Sequence, residues 1–457
     1  MSLFDKYPFG KAPAALLIIA VLAIGLRVAT ARRHEERPDL VIVTHTEAHE
    51  IAYRKAIPRF EREHNVKVQL QRVNWASLLS RLQNAVLADT EVPDVAELFE
   101  SSLGFFTRGP AEDIGIVDMT DRLHKEGLYD RMVASRFSLW QTRGRIYGLP
   151  HDVHPVMLAY RRDLVEALGI DVTQLDTWDK FVAAGQKISR DENGDGVLDR
   201  YMIDMRFDGA WGLDTLMFQR GGQFFDENGN VAFVTEDNAE LIRWYILQTR
   251  GPNKIGFDCG WGQPVAKAMI DGLVLFQWTP DWRSWVFQDE VPSLKGKMAL
   301  MPLPAWKPGG RRTSVWGGTG LIIMKSSKNP ELAWQLAKFL YFDATDVGAR
   351  FQATNIIPVL KDAWNIPELD RPSDYYSGQK IGRMYADLAP HTPPVYSSPV
   401  DAQARTKLDE AYALSAEHYM AHGEAGLMEA IRANLAKVAE DVRKYADREQ
   451  KLVAGTR

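Results

Sequence analysis

The residues able to do chemistry gather in a few short stretches. Trp278 runs into Thr279-Pro280-Asp281-Trp282-Arg283-Ser284-Trp285, so three tryptophans, an Asp and an Arg fall within eight residues. Aromatic faces beside fixed polar groups suit recognition of a small molecule. The plainer alternative is a buried tryptophan face with a surface ion pair. A second stretch, Ile146–Leu164, carries His151-Asp152-x-His154-Pro155 between a Tyr147-Gly148 turn and the apolar run Val156–Tyr160. Glu97, Glu100, Asp152 and Asp281 raise the question of acid–base work. A glycosidase pair needs one of two characteristic separations, and nothing local fixes one. His151 and His154, three apart on a turn with no third ligand evident, make a poor metal site.

A third stretch is Asp191-Glu192-Asn193-Gly194-Asp195-Gly196-Val197-Leu198-Asp199. Asp191, Asn193, Asp195 and Asp199 with Gly196 match the first part of an EF-hand-type calcium loop. The twelfth position is Met202, so the bidentate carboxylate is missing. A metal-free polar turn is the leading expectation, and those four residues are the ligands if structural calcium is held. Ser314–Gly320, SVWGGTG, lacks the spacing of a phosphate-binding loop.

Elements must position these groups. Leu40–Val43 predicts a strand, with His45 just beyond it, and Glu50–Glu63 a helix that Pro58 kinks or bounds. Val66–Leu70 alternates as a strand, Trp75–Leu87 has helical spacing, and Pro93–Phe99 closes a β-α-β-α-β run. Right-handed crossovers make this a parallel, doubly wound sheet whose ligand crevice lies beyond the strands' carboxyl ends. That singles out His45 and Glu97–Ser102. Further helices are predicted at Asp118–Leu128, Asp130–Phe137, Trp178–Ile188 behind a Thr177 cap, Trp211–Gly222, Glu236–Gln248, Pro264–Asp271 and Leu427–Lys451. Strands are predicted at Gly272–Trp278 and Leu321–Met324. Ile146–Leu164, Lys297–Pro304 and Asn355–Val359 are read as three crossings between two bodies.

Composition narrows the classes. The 457 residues are 46% hydrophobic and 25% charged, too many for one core. A net charge of −5 without a long basic run argues against nucleic acid. Cys259 is the only cysteine, which excludes an internal disulfide and leaves no cysteine-based metal site. At the N-terminus, Lys6 and Lys11 precede the apolar run Ala12–Leu26, and Ala29-Thr30-Ala31 resembles a cleavage site. Residues 1–37 are therefore read as a signal peptide, or as a retained membrane anchor, plus spacer.

Several markers occur in order: Phe60-Glu61 before Val66-Lys67-Val68; Pro93-Asp94-Val95; Tyr147-Gly148-Leu149-Pro150 before Tyr160-Arg161-Arg162-Asp163-Leu164; Leu168-Gly169-Ile170 with Thr177-Trp178; Trp316-Gly317-Gly318 before Asn329-Pro330-Glu331. With these, Leu40–Tyr445 resembles the extracellular solute-binding proteins of ABC importers, in the sugar-binding group that includes maltose-binding protein. The resemblance implies an α/β, two-lobed periplasmic-binding-protein fold, each lobe a mostly parallel sheet flanked by helices, joined by three hinge crossings. It implies lobe 1 at 38–148 and 304–355 and lobe 2 at 149–303 and 356–457. It implies no catalysis and no required cofactor, a carbohydrate ligand, hinge closure, and delivery to ABC permease transmembrane subunits from the periplasm. A monomer is expected. A membrane-tethered sugar sensor is the alternative, and a glycoside hydrolase the remote one.

The family's site positions fall here on Glu97, Phe99, Glu100, Ser101, Asp152, His154, Trp211, Trp278, Asp281, Trp282, Trp316, Gly317 and Gly318, to which the strand-end argument adds His45. Rings cover the C–H faces of a sugar, and acids, amides and Arg take its hydroxyls. His154 stands where maltose-binding protein has a Glu, so the acidic partner is expected at Asp152 and maltodextrin is not assumed.

Overall fold

In the computed structural model, residues 16–23, 38–88, 93–191, 194–209 and 211–455 are described. Residues 16–23 are exposed helix, and Ala29–Ala31 lie outside the described residues. Among the described residues no helix is long and apolar enough to cross a membrane.

The chain opens with β1 (Leu40–Thr44), α1 (Glu47–His64), β2 (Val68–Arg72), α2 (Trp75–Ala88) and β3 (Val95–Phe99). Thr46 caps α1 by accepting from His49 N, and Asn65 ends it with φ 54°. Pro58 lies inside α1, which runs through it as one helix. A short hairpin follows, β4 (Gln141–Thr142) and β5 (Arg145–Ile146), then β6 (Leu149–Pro150). The helices expected at Asp118–Leu128 and Asp130–Phe137 shrink to Thr120–Lys125 and Ala134–Phe137 with single turns between.

The second body begins at β7 (Val156–Arg161) and adds α3 (Trp178–Ile188), β8 (Tyr201–Asp204), α4 (Gly212–Arg220) and α5 (Glu236–Arg250). It continues with β9 (Gly256–Phe257), α6 (Gln263–Asp271), β10 (Val274–Pro280), α7 (Asp281–Glu290) and β11 (Met298–Pro302). The chain then returns through β12 (Thr319–Ile323), α8 (Pro330–Phe342) and α9 (Ala344–Thr354). It ends with α10 (Ile381–Leu388), α11 (Asp401–His422) and α12 (Leu427–Gly455), the last two forming a hairpin against α5.

The described residues form two five-stranded sheets, ordered β2-β1-β3-β12-β6 and β11-β7-β10-β8-β9, besides the β4–β5 hairpin. The doubly wound start is as expected: β1 lies parallel to both β2 and β3. The sheets are otherwise less parallel than expected. In the first, β12 is antiparallel to β3 and β6. In the second, β7 is antiparallel to β10 and β11, while β10–β8 and β8–β9 are parallel. Each exception is a strand reached through a crossing.

The crossings lie side by side. Val153 N donates to Ile357 O at 3.1 Å, Val156 N to Ser314 O at 3.2 Å and His151 N to Thr319 O at 2.8 Å. The first sheet takes in Leu149–Pro150, two residues past the expected junction. Past Asn355, Leu360 still pairs with Met132, and Arg131 Nη2 lies 2.6 Å from Asp362. The chain reaches the second body by Tyr376, whose hydroxyl donates to Ser284 O at 2.9 Å.

Candidate functional site

A cavity of about 640 Å³ lies between the two bodies, at the side where the crossings run. Its size is that of an ordinary small-molecule site. Four tryptophans build its second-body wall. Trp282 and Trp285 are three apart at the start of α7 and so share a face. Trp211 precedes α4 with φ 60°, a left-handed conformation that disfavours a large side chain, and its indole is 40% exposed. Trp261 is 48% exposed. Trp316, from the second crossing, packs against this wall: its ring centroid is 5.9 Å from Trp211, stacked, and 5.7 Å from Trp282, edge to face. Arg283 lies behind, its guanidinium 4.5 Å from the Trp261 ring centroid, and burial lowers its pKa to about 10.

The opposite wall comes from the first body and the crossings. Phe99, Glu100 and Ser101 follow β3 directly. Gly317 has φ 96°, and a Cβ there would stand 3.3 Å from His154 Cδ2, so the turn needs glycine on both counts. Asp152 and His154 complete this wall.

His154 is a buried imidazolium between two carboxylates. Its Nδ1 lies 2.6 Å from Asp281 Oδ1 and its Nε2 3.0 Å from Asp152 Oδ2. Burial pulls its pKa down, but the two carboxylates more than offset that and raise it to about 10. Asp152, despite burial, is held well below the usual range by His154 and His151. Asp281 Oδ2 also accepts from Ile357 N at 2.7 Å, and Asp152 accepts from Thr319 N. Arg136 donates to Asp152 O at 3.1 Å and Gly317 O at 3.0 Å. One network thus ties all three crossings together. His154 holds it with φ 55°.

Ten of the fourteen site residues expected from the sequence line the cavity: Phe99, Glu100, Ser101, Asp152, His154, Trp211, Trp282, Trp316, Gly317 and Gly318. Four are placed elsewhere. Glu97 is fully buried in the first body, accepting from Thr44 at 2.5 Å, from Tyr341 at 2.9 Å and from Tyr53, with His49 Nδ1 2.9 Å away. It lies inside β3, covered by Thr44, Tyr53 and Tyr341, whereas Phe99 at the end of the strand and Glu100 just past it reach the cleft. His45 backs the wall, its ring 4.1 Å from Phe99, and burial lowers its pKa to about 4. Trp278 is core, its ring tilted against Trp178 and its indole N–H donating to Asp204 O at 2.9 Å. Asp281 lies behind His154, as above.

The sequence reading passed over other lining residues. Arg405 reaches the cavity from α11, paired with Asp214 at 2.9 Å and Asp401 at 3.0 Å. Nothing local in α11 signals this. Trp285 stood in the cluster that runs on from Trp278 without being counted among the expected site residues, and Trp261 was missed.

Among the described residues one cluster brings histidine and acid ligand atoms within 4.8 Å of one another: His49, Glu97 and His151. Arg350 Nη1 lies 3.2 Å from His151 Nε2, and the Glu97 oxygens already have their donors, so a cation finds no open position. In the Asp191 loop the Asp191 carboxylate accepts from Gly194 N at 2.6 Å and Gly196 N at 2.7 Å, a self-satisfied turn; Asn193 lies outside the described residues.

The chain is similar to known proteins. An arabinooligosaccharide-binding protein of Halalkalibacterium halodurans is 28% identical over 332 residues, 71% of this chain and 71% of its own length. Its Bacillus subtilis namesake is 24% identical over 390 residues, 83% of this chain and 88% of its own. The crystal structure of an extracellular solute-binding protein of family 1 superposes with a TM-score of 0.72 at 19% identity, covering 88% of this chain and 99% of the other. The model of the bacterial extracellular solute-binding proteins matches residues 46–346, well over half of the sequence, and the chain belongs to that family.

Proposed function

We propose that this protein captures an oligosaccharide outside the cytoplasm by closing its lobes on it, and hands it to the transmembrane subunits of an ABC importer. The observation that carries the reading is the cavity's two unlike walls. Four indoles offer faces to sugar C–H surfaces, and Glu100, Asp152 and His154 opposite them offer partners to hydroxyls. The names of the two relatives support a pentose or similar neutral oligosaccharide.

In this reading the lobes are 38–148 with 304–355 and 149–303 with 356–457, the pairing of Leu149–Pro150 and the docking of Leu360 moving the junctions a few residues on. The N-terminal segment serves export, and tethers the chain if it is not cleaved. Catalysis is not part of the reading: Asp152 and Asp281 are both engaged by His154, and Glu97 is out of reach. No cofactor is required.

Titration with a glycan panel tests this. The expected result is saturable binding of neutral oligosaccharides with quenched tryptophan fluorescence and no release of reducing ends. Turnover of a bound glycan, or unchanged affinity in W282A, would refute the reading or the site.

A further inference from the structure

A second cavity, about 560 Å³, lies beside the first. It too spans both lobes. The β4–β5 hairpin contributes Gln141 and Arg143, the second body's turn contributes Asn228, and α12 contributes Glu449. Its lining is polar where the first is aromatic. The two meet along two stretches of chain, of which the 394–399 strap is the longer. Val395 faces the tryptophan chamber, and Tyr396, Ser397 and Ser398 face the polar one. Likewise Leu139 lines the first and Ser138 the second.

The strap is pinned to both lobes. Ser138 Oγ donates to Val395 O at 2.8 Å and accepts from Val395 N at 3.0 Å. Gln223 of the second body donates to Pro394 O at 2.7 Å, and Arg108 of the first to Pro399 O at 3.2 Å. It packs on the first lobe so tightly that a Cβ at Gly104 would lie 2.1 Å from Ser398 O. Yet Ser397 Oγ, buried in the chamber's lining, has no hydrogen-bond partner among the described residues, an uncommon state for a buried hydroxyl.

We infer that the polar chamber is a second binding compartment, which takes the remote, hydroxyl-rich end of an oligosaccharide whose other end stacks in the tryptophan chamber. The inference rests on the oligosaccharide reading above. Each sugar hydroxyl both donates and accepts, so it can meet Ser397, Gln141, Asn228 and Glu449 in this lining, which an apolar ligand would leave unpaired. Stacking in the first chamber then fixes the ligand, and the second reads its length or branching. Because both chambers lie between the same lobes, one closure engages both.

The test is calorimetric titration of the full chain with arabino-oligosaccharides, from disaccharide to octasaccharide. In the wild type, affinity should keep rising beyond the length that fills the first chamber. S397F, which fills the second, should weaken the longest members roughly tenfold while moving the disaccharide by less than about twofold. Q141A, which keeps the space and removes one amide, should show the same pattern with a smaller loss. A wild-type affinity flat with length overturns the inference while leaving the oligosaccharide reading intact. So do variants that weaken short and long members alike, or leave all of them unchanged. Should no member bind, the same length series is run with the oligosaccharide that the glycan panel identifies; if no glycan of the panel binds the wild type, the oligosaccharide reading itself fails and this compartment with it.

Discussion

Two acid–histidine clusters flank His151, and they differ in what they join. The Glu97 cluster is closed. Thr44, His49, Tyr53 and Tyr341 all belong to the first lobe, and the carboxylate is fully buried. The His154 cluster is shared. Asp152, Gly317 and Ile357 come from three different crossings, Asp281 from the second lobe, and Asp152 and His154 face the cavity. A closed cluster specifies one lobe. A shared one makes lobe position, crossing geometry and ligand contact depend on the same few atoms.

That contrast breaks most directly at His154. H154L leaves two buried carboxylates with their shared cation gone, so stability should fall by about 3–5 kcal/mol and ligand affinity should fall with it. Denaturation and titration of the same variant check this; normal affinity would place His154 outside the binding machinery. E97Q is next. It keeps shape but mismatches donors, and should cost about 1–3 kcal/mol while affinity, measured where the variant is folded, stays at the wild-type value. Lost affinity there would dissolve the distinction between the clusters.

pH separates the two more gently. His154 has a raised pKa, so its contribution is complete below about 6.5 and is lost as pH rises to about 10. His151, lowered to about 4 by burial and by His49, acts in the opposite sense, opposing folding as pH falls from 6.5 towards 4. Melting temperature against pH should therefore decline on the alkaline side in the wild type, and lose that decline in H154Q. The smallest effect is expected at the Asp191 loop, where a calcium chelator should leave the melting temperature unchanged. A clear drop would show that the loop holds a cation.

The same contrast explains what was legible in the sequence. The β-α-β-α-β start, Trp282 and the Trp316-Gly317-Gly318 turn announce themselves by period, spacing and composition, because their roles are local. Glu97 misled because its identity and strand-end position fit a ligand contact, whereas its burial depends on Tyr341, far away in sequence. Arg405 was invisible for a similar reason: an Arg on a long helix looks solvated until Asp214 and Asp401 are placed beside it. The antiparallel entry of β7 and β12 follows from three-dimensional routing, which no strand pattern encodes.

That routing bears on how fast the molecule can form. β12 lies between β3 and β6, with Ile323 opposite Val95. The first sheet thus stays split, with β6 detached, until a strand made more than two hundred residues after β3 arrives, as the numbers 95 and 323 show. Pairings of such sequence separation close slowly because loop entropy must be lost first. The sheet of the N-terminal lobe therefore cannot be completed until β12 has been made, after every strand of the second lobe.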